Sequence, residues 1–245
     1  MDNAMLISLS RQMTLRRAMD VTANNIANAS TAGFKAERVL LEADLASPAR
    51  HQDGPKRLAY VDEWGLGRDF SQGRLQATGR PLDLAIEGEG FFVLETAEGD
   101  ERFTRDGAFT LDGEGAIVAP DGARLLNEAG APILVDPDAG PVEISTAGEV
   151  SQNNAVIARL QVVAFEDRGQ LQKTGANRFS APEEADREIA LDPVVRQGFT
   201  EAANVTPIME ITRMMEVSRA YASASRIVSQ TDELSRKALE RLGRP

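Results

Sequence analysis

The sequence contains no cysteine and only one histidine, His51, among its 245 residues. Without cysteine the chain cannot form disulfides, bind a metal through thiolates or use a thiol nucleophile. A single histidine also leaves no zinc site built from several histidines. His51 lies in a polar stretch between Pro48 and Pro55, which is typical of a solvated loop. We therefore expect no catalytic residue, no metal and no cofactor.

The sequence also lacks a long apolar run. No segment approaches the roughly 18 apolar residues that a membrane-spanning helix requires, so we expect no direct membrane insertion. The first residues include Asp2 and show no basic region followed by an apolar core. This beginning predicts no cleaved secretory signal.

Charge is unevenly distributed along the chain. The formal net charge is −11, with +2 in residues 1–35, −14 in residues 36–200 and +1 in residues 201–245. The acidic middle argues against binding to nucleic acid or to an anionic membrane. The nearly neutral ends favour dense packing, because like charges there would repel each other.

Two segments at the ends of the chain predict amphipathic helices, at residues 3–28 and 207–242. The first has apolar side chains mostly three or four residues apart: Met5, Leu6, Leu9, Met13, Leu15, Met19, Ala23 and Ile26. The second continues this spacing through Ile211, Met214, Val217, Tyr221, Ala224, Val228, Thr231, Leu234, Ala238 and Leu242. Because the second pattern lasts about four heptads, it favours a coiled-coil seam.

The middle of the chain has a different pattern. From Pro81 to Gln197, Gly-containing turn signals recur roughly every 8–12 residues, and short β-type runs lie between them. This pattern predicts an all-β unit of the sandwich or barrel type. Residues 36–80 mix charge, proline and glycine, and we interpret them as an extended connector.

These patterns predict an α+β fold. Long N- and C-terminal helices form a coiled-coil-like α domain, with an inserted all-β domain and an extended connector. The predicted division is 1–35 for the N-terminal helix of the α domain, 36–80 for the connector, 81–197 for the β-rich outer domain and 198–245 for the C-terminal helix. A long amphipathic helix must bury its apolar face, either on the other helix or on neighbouring subunits.

Several short patterns resemble functional sites but have simpler explanations. Gly88-Glu89-Gly90 precedes a strand instead of a helix N-terminus, which argues against a phosphate-binding loop. Glu87 and Glu89 could serve glycoside cleavage, although turn chemistry explains them more simply. An enzyme acting on periplasmic glycan and a soluble β-domain adaptor stay open as alternatives to a structural protein.

Three blocks of sequence resemble one family, the bacterial flagellar rod and hook proteins. The first block is Asn24-Asn25-Ile26-Ala27-Asn28 followed by Thr31-Ala32-Gly33-Phe34-Lys35. The second runs from Thr78 to Val93 and from Arg102 to Phe109, and contains Gly79, Pro81, Leu82, Gly88, Gly90, Phe91 and Phe92. The third is Glu201-Ala202-Ala203-Asn204-Val205, leading to Met214, Met215 and Arg219-Ala220-Tyr221. The opening residues and the length most resemble the family's proximal rod type, with distal rod or hook-type subunits as alternatives.

The resemblance implies a structural subunit and no enzyme. It implies export by the flagellar type III apparatus, assembly in the basal body, and polymerisation with copies of itself and with other rod subunits into a torque-transmitting tube around the export channel. It assigns assembly roles to Asn24, Asn25, Ile26, Asn28, Thr31, Gly33 and Phe34, and to Asn204, Val205, Ile211, Met214, Met215, Tyr221 and Val228.

Overall fold

The computed structural model describes residues 2–46, 58–182, 184–190 and 193–242. His51 lies outside the described residues. The chain divides into two compact units. The helical unit consists of the described parts of Met1–Ala27, Glu37–Arg68 and Thr206–Pro245, and the β unit consists of those of Asn28–Ala36 and Asp69–Val205.

The helical unit contains the two terminal helices and one antiparallel hairpin. Its elements are α1 (Asp2–Ala27), β1 (Glu37–Ala46), β2 (Leu58–Arg68) and α2 (Pro207–Leu242). The β1–β2 register shifts between Leu40 and Leu41, which marks a bulge. At the start of α2, the Thr206 carbonyl accepts hydrogen bonds from the backbone N–H groups of Met209 and Glu210. Pro207 occupies the first helical position, where a missing N–H costs little.

The β unit contains short strands, all paired antiparallel. They are β3 (Leu75–Ala77), β4 (Leu84–Glu87), β5 (Phe91–Glu95), β6 (Glu101–Thr104), β7 (Thr110–Leu111), β8 (Ile117–Val118), β9 (Arg124–Leu125), β10 (Val142–Ile144), β11 (Glu149–Gln152), β12 (Ala155–Arg159), β13 (Val162–Phe165), β14 (Gln172–Gly175), β15 (Arg178–Ser180), β16 (Arg187–Ile189), β17 (Val194–Gln197) and β18 (Phe199–Glu201). A short 3-10 helix spans Arg168–Gln170.

Among the described residues, the largest sheet has the order β14-β15-β6-β5-β9-β8-β7, and β13 pairs with both β5 and β16. Smaller pairings join β10 to β11 and β11 to β12, β17 to β4, and β18 to β3. β5 therefore lies at the centre, bonded to β6 on one edge and to β13 and β9 on the other. The chain returns to the beginning of the β unit at its end, because β18 pairs with β3.

The β unit has two apolar clusters, and β5 contributes to both. Phe92 and Leu94 lie in the first cluster, whereas Phe91 and Val93 lie in the second. Successive side chains of a strand point to opposite faces, which explains this alternation. Phe92 packs edge-to-face on Phe109, with ring centroids 5.5 Å apart. β5 is thus buried on both faces.

The predicted coiled-coil-like α domain with an extended connector is wrong. Part of the segment predicted to be the connector forms the β1–β2 hairpin, which packs on α1 and belongs to the same compact unit as α1 and α2. Ile211 and Leu234, two members of the predicted α2 seam, are 47% and 64% exposed, so the chain does not bury them. The apolar spacing indicates helices, but it does not show that the β1–β2 hairpin packs on α1 as well. A β-rich middle is present, in partial agreement with the predicted inserted β domain.

The second terminal helix, α2, has one face that is more buried than the other. Met214, Val217, Tyr221 and Val228 are half-buried and Ala224 is buried along one face of α2. Neither described helix is long and apolar enough to cross a lipid bilayer.

We expect Phe92→Ala to destabilise the β unit by about 3–5 kcal/mol, because the change removes a fully buried ring and leaves a cavity. Urea denaturation of the purified chain measures this loss. Val156→Ala is the control, since Val156 is 64% exposed and its truncation should cost about 0.5 kcal/mol or less. Equal losses for the two variants would contradict the assigned core.

Candidate functional site

A buried ion cluster brings the three sequence blocks together inside the β unit. Lys35 comes from the first block, Arg105 from the second and Glu201 from the third. Lys35 Nζ lies 2.6 Å from Glu201 Oε1, and Arg105 Nη1 lies 3.3 Å from Glu201 Oε2. The three side chains are between 1% and 4% exposed. A single carboxylate thus faces two cations in a nearly dry site.

Arg105 fixes the glycine-containing turn of the second block. Its guanidinium donates to the Ile86 carbonyl at 3.3 Å and to the Gly88 carbonyl at 2.6 Å. The guanidinium also lies 5.5 Å from the ring centroid of Phe91. Its Nε has no hydrogen-bond partner although it is buried. Arg105 therefore connects the β4–β5 turn to Glu201.

Glu201 connects segments that are far apart in sequence. Besides the two cations, its Oε1 accepts a hydrogen bond from the Gly73 N–H at 2.7 Å. Its backbone carbonyl accepts from the Gly33 N–H, also at 2.7 Å. Its own strand, β18, pairs with β3. Glu201, near the end of the β unit, therefore contacts two earlier segments of that unit, one at Gly33 and one at Gly73.

Burial sets the electrostatics of the two cations. It lowers the pKa of the Lys35 ammonium, and attraction to Glu201 offsets this only in part. Burial likewise lowers the pKa of the Arg105 guanidinium, again opposed by Glu201. The charged forms thus depend on the carboxylate, because a cation buried alone would lose its hydration without compensation.

Gly33 and Phe34 place the first block against this cluster. Gly33 has φ of +65°, and a Cβ there would overlap the backbone of Arg105 and Asp106. Phe34 is 1% exposed, and its ring lies beneath the Lys173 ammonium at 4.7 Å. Glycine is therefore required at position 33 for both its conformation and its small size.

Asn204 connects its own segment of the β unit to residues 34–36 and to residues 69–71. Its Oδ1 accepts from the Ala36 N–H at 2.8 Å, and its Nδ2 donates to the Asp69 carbonyl at 2.7 Å and to the Ser71 carbonyl at 3.2 Å. The Asn204 N–H also donates to the Phe34 carbonyl. An amide side chain suits this position because it donates and accepts at the same time.

Asn25 has a corresponding role inside the helical unit. It is 2% exposed, and it exchanges two hydrogen bonds with the backbone of Glu37 at 2.9 and 3.0 Å. Its Nδ2 also lies 3.2 Å from Glu210 Oε2 on α2. Glu37 in turn pairs with Arg68, at 3.2 Å. Asn25 thus connects α1, β1 and α2.

The other predicted residues of the first block lie around the end of α1. Asn24 is exposed, Ile26 is half-buried, and Asn28 accepts hydrogen bonds from Thr31 through its backbone and side chain. The backbone and side-chain bonds between Asn28 and Thr31 form a turn directly after the helix ends.

The predicted residues of the second block mainly shape turns and core. Gly79 and Gly88 have positive φ angles, and Gly90 has φ of +128° with no room for a Cβ beside Val162. Pro81 is exposed, and Leu82 packs partly against the first cluster. Phe91 and Phe92 are buried on opposite faces of β5.

The predicted residues of α2 divide between two faces. Met214, Tyr221 and Val228 lie on the half-buried face, whereas Ile211 and Met215 lie on the exposed one. Further exposed apolar residues on α2 are Ile208, Met209, Ile227 and Leu234. Val205, just before the helix, is half-buried.

The carboxylates considered for catalysis are engaged in surface ion pairs. Glu87 lies 2.8 Å from Arg196 Nη2, and Glu89 pairs with Arg168. The Arg168 guanidinium lowers the pKa of Glu89, which disfavours the protonated form that a general acid requires. Asp112 accepts hydrogen bonds from the Glu114 and Ala116 N–H groups, as in a turn. Within the described residues, no group of three metal-binding side chains was found.

Arg105 and Glu201 were not among the site residues predicted from the sequence, nor was Lys35. All three lie inside the quoted blocks, but other charges stand nearby, such as Arg102 and Asp106 beside Arg105. Charge alone therefore did not single them out. Sequence spacing could not pair residues that are 166 and 96 positions apart.

Comparison with known proteins defines the class of protein. Residues 5–35 match the model described as flagella basal body rod protein. Residues 85–152 match the flagellar hook protein FlgE/F/G D1 domain, and residues 196–241 match the flagellar basal body rod FlgEFG protein C-terminal region. Each match includes one member of the ion cluster, namely Lys35, Arg105 or Glu201, and together the matches define a structural protein of the bacterial flagellum.

Individual relatives are similar over nearly their full length. The chain is 43% identical to the flagellar basal-body rod protein FlgF of Caulobacter vibrioides, covering 100% of this chain and 99% of the relative. It is 32% identical to FlgF of Mesorhizobium japonicum, covering 99% of both, and 30% identical to FlgG of Bacillus subtilis, covering 92% and 94%. The chain belongs to the flagellar basal-body rod protein family, as a structural proximal-rod subunit of the FlgF type.

We expect Asn204→Ala to destabilise the β unit by about 1–3 kcal/mol, because it removes the side-chain partner of the partly buried Ala36 N–H and Asp69 carbonyl. Urea denaturation measures the loss. Asn204→Asp keeps the acceptor for Ala36 but removes the donor, so its loss should differ from that of the alanine variant. An unchanged midpoint for Asn204→Ala would contradict the assigned role.

Burial raises the pKa of Asp106, whose side chain accepts a hydrogen bond from the Ala108 N–H. The folded chain therefore binds this proton more tightly than the unfolded chain, and the contribution to stability is lost as pH rises through the raised pKa. Asp106→Asn should gain stability relative to the wild type as pH rises from the ordinary aspartate pKa of 3.8 through the raised pKa, and the gain should level off above it. Thermal denaturation across that range tests this, and a difference independent of pH would refute it.

Proposed function

We propose that the chain polymerises through its terminal helices with copies of itself and with other rod subunits, forming the torque-transmitting axial tube and enclosing the export channel. The exposed apolar face of α2 carries this proposal. The half-buried face of α2 serves packing within the helical unit, so the exposed face is available to a neighbour. Rod assembly would bury it.

The exposed face is large for an isolated helix. Ile208 is 76% exposed, Met209 66% and Leu234 64%, and on α1 Met13 is 68% exposed. Fully burying a side chain of this size contributes about 1.5–3 kcal/mol. Contacts with neighbouring subunits would bury these side chains and so stabilise the assembly relative to the free chain. Scattered exposed apolar residues are ordinary, but repeated ones on a single helix indicate an interface.

Charge distribution supports the same arrangement. The two ends carry +2 and +1, whereas residues 36–200 carry −14. Nearly neutral helices can be packed densely around an axis, while an acidic β unit would repel its copies if it were packed as closely. In such an assembly each subunit presents different surfaces above and below, which is a heterologous contact.

The proposal also includes the route by which the chain is exported, and it includes no enzymatic activity. The chain would leave the cytoplasm through the flagellar type III export apparatus without a cleaved signal. The residues predicted for assembly would then act in two ways. Asn25, Asn204 and Gly33 hold the chain's own segments together, whereas Ile211 and Met215 contact neighbours. No enzymatic activity is proposed, because Glu87 and Glu89 are held in ion pairs.

Met215→Asp should abolish incorporation into the rod while leaving the subunit folded. Met215 is 48% exposed on the free face, so a charge there is tolerated by the monomer but would be buried by a neighbour. Electron microscopy of basal bodies, in a strain that produces only the variant, measures incorporation. Denaturation of the purified variant confirms that its fold is intact.

Ser218→Asp is the matched control, because it adds the same charge at an exposed position of α2 without removing an apolar side chain. Its rods should form in larger numbers than those of Met215→Asp. Normal rods and motility with Met215→Asp would refute the proposed interface.

A further inference from the structure

We propose that Glu201 is a C-terminal latch, which closes the β unit only after β18 has docked. Glu201 is the described carboxylate in contact with both Lys35 and Arg105. Those cations lie 166 and 96 residues earlier in the chain. The β unit thus carries two buried positive charges whose shared counter-ion belongs to its last strand. This inference concerns the isolated chain and does not depend on the proposed polymerisation.

The apolar core does not itself require the latch. The buried members of both clusters lie between Leu84 and Val195, so burial of apolar surface can begin before β18 is in place. What β18 adds is mainly polar. It supplies the carboxylate, the carbonyl that accepts from Gly33 and the pairing with β3. The dependence on the C-terminal segment is therefore electrostatic and specific to one residue.

No other described group replaces Glu201. Asp69 attracts Lys35, and Glu89 attracts Arg105, but each does so less strongly than Glu201. The Ser71 carbonyl accepts from Lys35 at 2.8 Å and the Gly88 carbonyl accepts from Arg105, yet neither group carries a neutralising charge. Without Glu201 the site would hold two cations close together.

The charge balance therefore sets the order in which the segments of the β unit close. Protein synthesis delivers Lys35 and Arg105 before Glu201. Until Glu201 arrives, closing residues 28–36 and 69–77 over the cluster would bury uncompensated charge, which is strongly unfavourable. These two segments therefore stay open in any chain that has not been completed through β18. The latch couples closure of the β unit to the presence of its C-terminal strand.

The test is hydrogen exchange of the full-length Glu201→Gln variant. Glutamine preserves size and the acceptor for Gly73 but removes the charge. We expect amides in residues 28–36 and 69–77, including Gly33 and Gly73, to exchange on the order of 100-fold faster than in the wild type. Amides of β5 and β6 should stay protected. Glu87→Gln is the matched control, because it breaks a half-exposed ion pair and should leave both segments unchanged. Wild-type exchange in both segments of Glu201→Gln would overturn the proposal.

A second variant covers the case in which Glu201→Gln does not fold. Lys35→Met combined with Glu201→Gln removes one of the two stranded cations and should recover part of the lost protection, or restore folding. The two changes must then be non-additive in a double-mutant cycle. Additive losses, or a double variant as unfolded as Glu201→Gln alone, would show that the charge balance is not what closes the unit.

Discussion

The attraction between one carboxylate and two buried cations is the constraint on which the rest of the β unit depends. Glu201 can neutralise Lys35 and Arg105 only if the first, middle and last blocks of the sequence come together at one point. The glycines at 33 and 73 follow from this requirement, because a side chain at either would collide with neighbouring backbone. A buried ion cluster of this kind is weak evidence for stability, because the desolvation of the charges can cost more than their attraction returns.

Two asparagines also hold separate segments together, one within each unit. Asn204 connects three backbone segments inside the β unit, and Asn25 connects a helix, a strand and Glu210 inside the helical unit. Both positions need a side chain that donates and accepts without carrying charge. The recurrence explains why asparagine is prominent in the first and third blocks. These internal hydrogen bonds distinguish the residues that hold the chain together from the exposed apolar residues of α2.

Sequence reasoning was informative where the determinants are local. The helices were visible from apolar spacing, and the turns at Gly88 and Gly90 from glycine before an apolar strand. The coiled-coil domain with an extended connector was wrong, because apolar spacing shows which face of a helix is buried but not what covers it, and α1 here contacts the β1–β2 hairpin as well as α2. The ion cluster could not be predicted from the sequence, for a different reason. Its members are charges separated by up to 166 residues, and no periodicity relates them. The family resemblance located the blocks but not the contact that joins them.

The central strand β5 has one more consequence. Phe91 and Phe92 are neighbours in sequence, yet they fill different apolar clusters on opposite faces of the sheet. A shift of β5 by one residue would exchange the two rings between clusters of different shape, so the register of the whole sheet is fixed by this pair. For the same reason the clusters cannot melt one after the other, since withdrawing β5 from one removes it from the other. The two apolar clusters should therefore unfold together as one cooperative block, while residues 28–36 and 69–77, which contribute no buried member to either cluster, can open separately.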